Sequence, residues 1–407
     1  MSAAISDPKD PYTQLMLDIA SIQRALAADR LDGWLLYDFH GSNPIAQQLT
    51  GLAGGPHMTT RRWYYLIPAA GEPRALVHAI EQHNLDHLPG SRIQYAGRQE
   101  LDAGLTALLG GAKRVAMEYS PECAIPYVSR VDAGTVEAVR KRGVEIVSSG
   151  DLVQQFEATW SAAQLSLHQE AAAALYRIKD KAFASASDAL TAGRRQTEYD
   201  LQQLMVQWFE EEGLVSDAPP VVAIGANAGN PHYLPTAEQH KPIVADEVLL
   251  LDLWGKKTQP RAVFADITWV GATSKQAPSE AAAAFAAIVG ARDTAVRVVQ
   301  ERAASGQDLR GWEVDRAARQ VLEDRGYGKY VLHRTGHSLG ENVHGNGTHL
   351  DDYETHDERR IVPKTGFTIE PGLYFHDFGV RTEINVYRGE RDAVVTGERQ
   401  TDIVTLR

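Results

Sequence analysis

The stretch VLLLDLWGKKTQPRAVFADITWV, residues 248–270, decides the fold of the second half of this chain. It holds two apolar runs, Val248 to Trp254 and Val263 to Val270, separated by a turn rich in Lys, Gln and Pro. Both runs predict strands, and each carries one acid, Asp252 and Asp266. Burying an unpaired carboxylate costs several kcal/mol. For one such acid the ordinary interpretation is a strand with a wet face that turns the carboxylate to solvent. The pattern repeats downstream, however. Gly366 to Phe375 predicts a strand holding Glu370, and Val380 to Tyr387 predicts one holding Glu383. Four acids on four strands of one region call for positive charge, and Arg381 supplies only one cation among them.

Two histidine segments accompany the acids. One is His333-Arg334-Thr335-Gly336-His337-Ser338-Leu339-Gly340, continued by Glu341 to His344. The other is Asn230-Pro231-His232-Tyr233. A lone histidine is more often a satisfied core or surface residue than a ligand. His337 is set between glycines in a chain with four misplaced acids, which favours the ligand. The single cysteine, Cys123, excludes internal disulfides and thiolate clusters and fits a reducing cytoplasm. Oxygen-rich sites with one imidazole suit Mn²⁺, Co²⁺, Fe²⁺ or Zn²⁺. Four carboxylates carry a charge of −4, which two divalent ions balance, so the charge count points to a dinuclear site.

Working outward, 407 residues predict two domains, with a boundary near residue 155. Residues 1–155 read as layered α/β. A helix is expected over Met16 to Leu31, and another over Gln99 to Leu109. Strands are expected at Gly33 to Tyr37, Arg62 to Pro68, Arg74 to His78 and Arg114 to Glu118. Residues 156–407 open with a long helix, Ala162 to Leu190. A second helix is N-capped by Thr197, and its stripe of Leu201, Leu204, Met205, Trp208 and Phe209 is a core face. A net charge of −12 argues against a nucleic-acid partner. No apolar run approaches the roughly 20 residues of a membrane span. Met1 to Asp10 lacks the layout of a secretory signal. Together these features place the protein in the cytoplasm.

The ordered texts LLLDLWG, FADITWVG, HRTGHSLG, TIEPGLYF and GVRTEINV span about 130 residues. They resemble the pita-bread metallopeptidases: methionine aminopeptidase, aminopeptidase P and prolidase. The resemblance implies an α/β N-terminal domain of the creatinase/prolidase type, carried by DGWLLYDFHGSNPIAQQLTG, and a C-terminal pita-bread (α+β) catalytic domain. It implies Asp252, Asp266, His337, Glu370 and Glu383 as ligands of two divalent metals, with Mn²⁺ the first choice. It implies that His344 contacts substrate near the scissile bond, that His232 lines the pocket and that Arg381 binds substrate. Glu370 would also shuttle the proton. The substrate would be a small peptide with proline second, and the protein a homodimer. Trp269 departs from the family, where arginine commonly follows Asp-Ile-Thr. In the polar loop Gly345 to Arg360, His356, Arg359 and Arg360 are candidates for the substrate carboxylate, and Tyr387 is a further pocket candidate. The short N-terminal domain favours an Xaa-Pro dipeptidase. The alternatives are an aminopeptidase P acting on longer peptides, or a non-catalytic relative that binds a protein partner. Such non-catalytic relatives typically lose metal ligands, and all five are present here.

Overall fold

The computed structural model describes residues 17–53 and 58–407. The expectations for Met1 to Asp10 and for Met16 lie outside the described residues. The chain forms two compact units, Met1–Ala158 and Thr159–Arg407.

The first unit is built on one six-stranded sheet. Its strands are β1 (Gly33–Asp38), β2 (Trp63–Pro68), β3 (Arg74–His78), β4 (Ser91–Tyr95), β5 (Arg114–Met117) and β6 (Glu145–Ser148), in the order β4-β3-β2-β1-β5-β6. β1 runs antiparallel to β2 and parallel to β5. Both faces are covered. Trp34 and Leu36 enter one core, and Leu35 and Tyr37 enter the other. That is why β1 is a continuous apolar run rather than an alternating one. Helices α1 (Ile19–Ala28), α2 (Pro44–Thr50), α3 (Arg98–Leu109), α4 (Ala133–Arg140) and the short α5 (Gly150–Val153) complete the unit. At the end of β5, Glu118 is fully buried. Its carboxylate accepts from Trp34 Nε1 (2.7 Å), Asn43 Nδ2 (2.8 Å) and Ser149 Oγ (3.0 Å).

The second unit opens with α6 (Ala162–Thr191) and α7 (Glu198–Glu211), each started by a capping box, from Ser161 with Gln164 and from Thr197 with Asp200. Next come β7 (Leu214–Val215), β8 (Val221–Ile224), β9 (Val248–Lys257) and β10 (Ala265–Ala272), then α8 (Ser279–Ser305) and α9 (Gly311–Asp324). The pair β9–β10 is antiparallel, with Asp252 opposite Thr268 and Trp254 opposite Asp266. Alternation sorts its side chains. Leu249, Leu251, Leu253, Ile267 and Trp269 pack on α6 and α7. Asp252, Trp254, Asp266 and Thr268 therefore share the opposite face.

A second sheet follows: β11 (Ser338–Leu339), β12 (Thr365–Ile369), β15 (Ile384–Arg388) and β16 (Ala393–Val395) in that order. A separate hairpin pairs β13 (Gly372–Tyr374) with β14 (Gly379–Arg381), and β17 (Val404–Thr405) closes the chain against β10. Two expected strands are thus each cut in two. The run Gly366 to Phe375 breaks at Glu370-Pro371, because Pro371 has no N–H to give a ladder and restricts the residue before it. The run Val380 to Tyr387 breaks at Thr382-Glu383. Extending the β12–β15 register, in which Ile369 faces Ile384, sets Glu370 opposite Glu383.

Candidate active site

The five residues arrive from separate elements. Asp252 and Asp266 come from the open face of β9–β10. His337 immediately precedes β11, Glu370 follows β12 and Glu383 precedes β15. Backbone bonds bind these segments together. Thr368 N donates to His337 O (2.8 Å), Glu370 N to Thr335 O (2.7 Å) and Glu383 N to Thr268 O (3.2 Å). The approach at His337 requires glycine beside it, since a Cβ on Gly336 would stand 2.1 Å from the Thr368 carbonyl oxygen.

One ligand-capable atom each of Asp266, His337 and Glu383 lies within 4.8 Å of the others, and all three residues are buried. His337 Nε2 is 3.6 Å from Asp266 Oδ2 and 3.6 Å from Glu370 Oε1. His337 Nδ1 faces the Ser338 carbonyl at 3.1 Å. A carbonyl only accepts, so Nδ1 carries the hydrogen and the Nε2 lone pair points at carboxylates. Burial lowers the His337 pKa, which keeps the ring neutral. Burial first, and then neighbouring acids, pushes the Asp266 and Glu383 carboxyls well above their ordinary range, and burial raises Glu370. Among the described residues, Asp266 Oδ1 and Glu383 Oε1 are buried with no hydrogen-bond partner. The contrast with Glu118, whose three neutral donors satisfy it, is direct. An acceptor cluster that lacks donors fits divalent cations.

Among the described residues, the field of Arg334 reaches Glu370, and Arg381 is the strong cation hydrogen-bonded to an acid of the cluster. It is buried, and its guanidinium bonds the Asp252 carboxylate, Thr268 Oγ1 (3.0 Å) and Tyr374 Oη (2.9 Å). Thr268 Oγ1 in turn donates to Glu383 Oε2 (2.7 Å). Arg381, expected to bind substrate, has one N–H each on Thr268, Tyr374 and Asp252. It also alters the charge count, to −3 for four carboxylates and one arginine.

At the rim, the exposed His344 sets its ring edge-on to His337, with centroids 4.3 Å apart. Desolvation, and then the fields of His337, Arg334 and His232, hold its imidazole below the ordinary pKa, so it is neutral at pH 7. His232 is also exposed, and its backbone N–H is held by Asn230 Oδ1 at 3.0 Å. The polar loop is more self-contained than expected. Arg359 is buried and bonds Asp357 (2.9 and 2.6 Å) and the Asn346 carbonyl (2.8 Å). His356 pairs with Asp352 and stacks on Trp312, and Tyr387 stacks on Trp160.

The profile of metallopeptidase family M24 matches residues 169–396, more than half of the chain. The chain belongs to this family. It is a metallopeptidase of mixed α/β architecture with the pita-bread catalytic fold. The probable dipeptidase PepE of Mycobacterium tuberculosis is 24% identical over 347 residues, covering 84% of each chain. The Xaa-Pro dipeptidase of Lactobacillus helveticus is 31% identical over 209 residues, covering 50% of this chain and 51% of that protein. The crystal structure of dipeptidase PepE from Mycobacterium ulcerans superposes with a TM-score of 0.69 at 22% identity, covering 95% of this chain and 96% of that one. Among the described residues no helix is long and apolar enough to cross a membrane.

Three residues of this M24 site escaped the sequence. Thr268 was legible in principle, since it lies two residues past Asp266 on the same strand face. His333 and Tyr374 form a relay: Arg381 donates to Tyr374 Oη, Tyr374 donates to His333 Nε2 (2.6 Å), and His333 Nδ1 donates to the Arg334 carbonyl (2.7 Å). Nothing local in the sequence announces that chain.

Proposed function

We propose that this M24 enzyme hydrolyses Xaa-Pro dipeptides, with Asp252, Asp266, His337, Glu370 and Glu383 holding two divalent cations, Mn²⁺ first among them. The observation that carries the proposal is the convergence of His337 Nε2 on Asp266 Oδ2 and Glu370 Oε1, in a cluster where Asp266 Oδ1 and Glu383 Oε1 are buried without a donor. Two divalent ions turn the −3 cavity into +1, a field that attracts a nucleophilic anion and a developing oxyanion. One ion leaves −1, which repels both. Such a pair supplies Lewis acidity and a water acidified toward neutral pH.

The protein's own groups do the rest. Burial raises the Glu370 carboxyl in the metal-free cavity, and bound cations would hold it as the carboxylate. It is the group to take a proton from the attacking water and deliver it to the proline nitrogen, which must be protonated to leave as an amine. A neutral His344 donates its N–H to the carbonyl oxygen as negative charge develops there. His232, exposed on the same rim, faces the proline carboxylate. Arg381 holds Asp252 in place and lends positive charge to the cavity. A tertiary amide has no N–H and a fixed φ, which explains a pocket dedicated to proline. One cysteine and an acidic composition support a cytoplasmic setting, and the family resemblance supports a homodimer.

The test is a substrate panel on chelator-treated protein resupplied with Mn²⁺: Ala-Pro, Ala-Pro-Ala and Ala-Ala. Metal-dependent cleavage of Ala-Pro above the other two is expected. Faster cleavage of Ala-Pro-Ala would assign an aminopeptidase P, and faster cleavage of Ala-Ala a dipeptidase without proline selectivity.

A further inference from the structure

Glu198 opens helix α7 and is fully buried, yet among the described residues no cationic side chain pairs with its carboxylate. Its two oxygens are instead surrounded by donors. Oε1 accepts from Ile224 N (2.8 Å) and Asn227 Nδ2 (3.0 Å). Oε2 accepts from Asn227 Nδ2 (3.0 Å), Tyr233 Oη (2.6 Å) and Lys241 N (2.7 Å). These donors are not scattered. Ile224 ends β8, Lys241 lies further along the connection to β9, and Asn227 and Tyr233 lie between them. One carboxylate therefore clamps both ends and the middle of a single loop, residues 225–241. The Glu198 N–H adds a bond to the Lys241 carbonyl (2.9 Å), which closes the loop at its base.

This loop carries His232. A turn connects the clamp to the histidine. Asn230 N donates to Asn227 O (3.1 Å), Tyr233 N donates to Asn230 O (3.0 Å), and Asn230 Oδ1 accepts from His232 N (3.0 Å). His232 is thus fixed on one side by Asn227 and on the other by Tyr233, and both side chains end on Glu198. The other wall of the turn is the β13–β14 hairpin, which bears Tyr374 and Arg381. A Cβ on Gly379 would stand 1.9 Å from the Ala228 carbonyl oxygen. The loop therefore abuts the element that holds Asp252, and Glu198 closes it from the opposite side.

We infer that Glu198, which touches neither substrate nor metal ligands, is a positioning residue that sets His232 for the substrate through Asn227 and Tyr233. The inference rests on His232 binding substrate, as proposed above. A purely structural acid would stabilise the unit without acting through one side chain, and a double-mutant cycle separates the two roles.

The metal-loaded parent, His232→Ala, Tyr233→Phe, Glu198→Gln and the double variant His232→Ala/Tyr233→Phe are compared. The readouts are KM and kcat on Ala-Pro, calorimetric binding of L-proline, and metal content. Tyr233→Phe removes one donor and keeps the ring in place, so it folds even where Glu198→Gln does not. Tyr233→Phe is expected to raise KM about three- to tenfold with kcat and metal content held, the net worth of one ordinary hydrogen bond. In the His232→Ala background it is expected to change nothing further. The proposal is overturned if Tyr233→Phe leaves KM and proline affinity unchanged, or if its effect multiplies fully with that of His232→Ala. A His232→Ala variant that binds and cleaves like the parent removes the role of His232, and the inference with it. A parent that neither binds proline nor cleaves Ala-Pro refutes the proposed function itself.

Discussion

Replacing Arg381 by methionine keeps much of the side-chain volume and removes a buried cation from the site. Three partners lose a donor: the Asp252 carboxylate, Thr268 Oγ1 and Tyr374 Oη. Removing one member of a buried ion pair costs about 3–5 kcal/mol, because the remaining charge is stranded. The second unit holds 249 residues (159–407), so each kcal/mol moves Tm by about 2–4 °C. The metal-free variant should therefore melt roughly 6–20 °C below the metal-free parent. Its response to metal should differ in the opposite direction. Without Arg381 the cavity carries −4 rather than −3, and like-charge repulsion of an incoming dication is gone. The Mn²⁺-induced rise in Tm should then exceed the parent's by several degrees. Differential scanning fluorimetry of chelator-treated protein, with and without Mn²⁺, measures both quantities. An equal or smaller metal-induced rise in the variant would refute the reasoning, since Arg381 would then stand outside the charge balance of the metal site.

Other perturbations follow from the same geometry. His344→Ala should lower kcat on Ala-Pro about 10²–10³-fold with metal content unchanged, if its N–H stabilises the developing oxyanion; steady-state kinetics beside metal analysis decides this. Thr268→Val strands the Arg381 Nε–H and Glu383 Oε2 at once. It should cost about 1–3 kcal/mol in urea denaturation of the metal-free protein. His168 is fully buried, its Nδ1 on the Phe264 carbonyl (2.8 Å) and its Nε2 on Thr396 Oγ1 (2.7 Å), and burial depresses its pKa from 6.5 to about 4. The unfolded chain therefore binds the proton first. The contribution is complete above pH 6.5 and is lost as pH falls through that value toward 4. It amounts to about 3 kcal/mol. His168→Phe should flatten that part of the stability–pH curve, and an unchanged slope would show that another group sets it.

The second unit was legible wherever a local pattern has one physical outcome. The alternation around Asp252 and Asp266 places both on one strand face at any register that buries the leucines, and Thr197 with Asp200 announces a capped helix. The strand breaks were not legible from hydropathy. TGFTIEPGLYF is apolar on both sides of Glu370, and only the missing N–H of Pro371 ends the ladder there. The role of Arg381 was not legible either. Spacing put it beside Glu383, but its hydrogen bond runs to Asp252, 129 residues away. The relay through Tyr374 to His333 is equally non-local. In the polar loop, Asp357 and Arg359 are two residues apart and satisfy each other, a pairing hidden among several acids and bases of similar spacing.

The most direct measurement is the metal content of the dialysed protein, titrated with Mn²⁺ while Ala-Pro turnover is followed. Two equivalents per chain are predicted, with turnover appearing as the pair is completed and with loss of both metal and turnover in Asp266→Asn. Full turnover in chelator-stripped protein, or full turnover at one equivalent or fewer, would contradict the account.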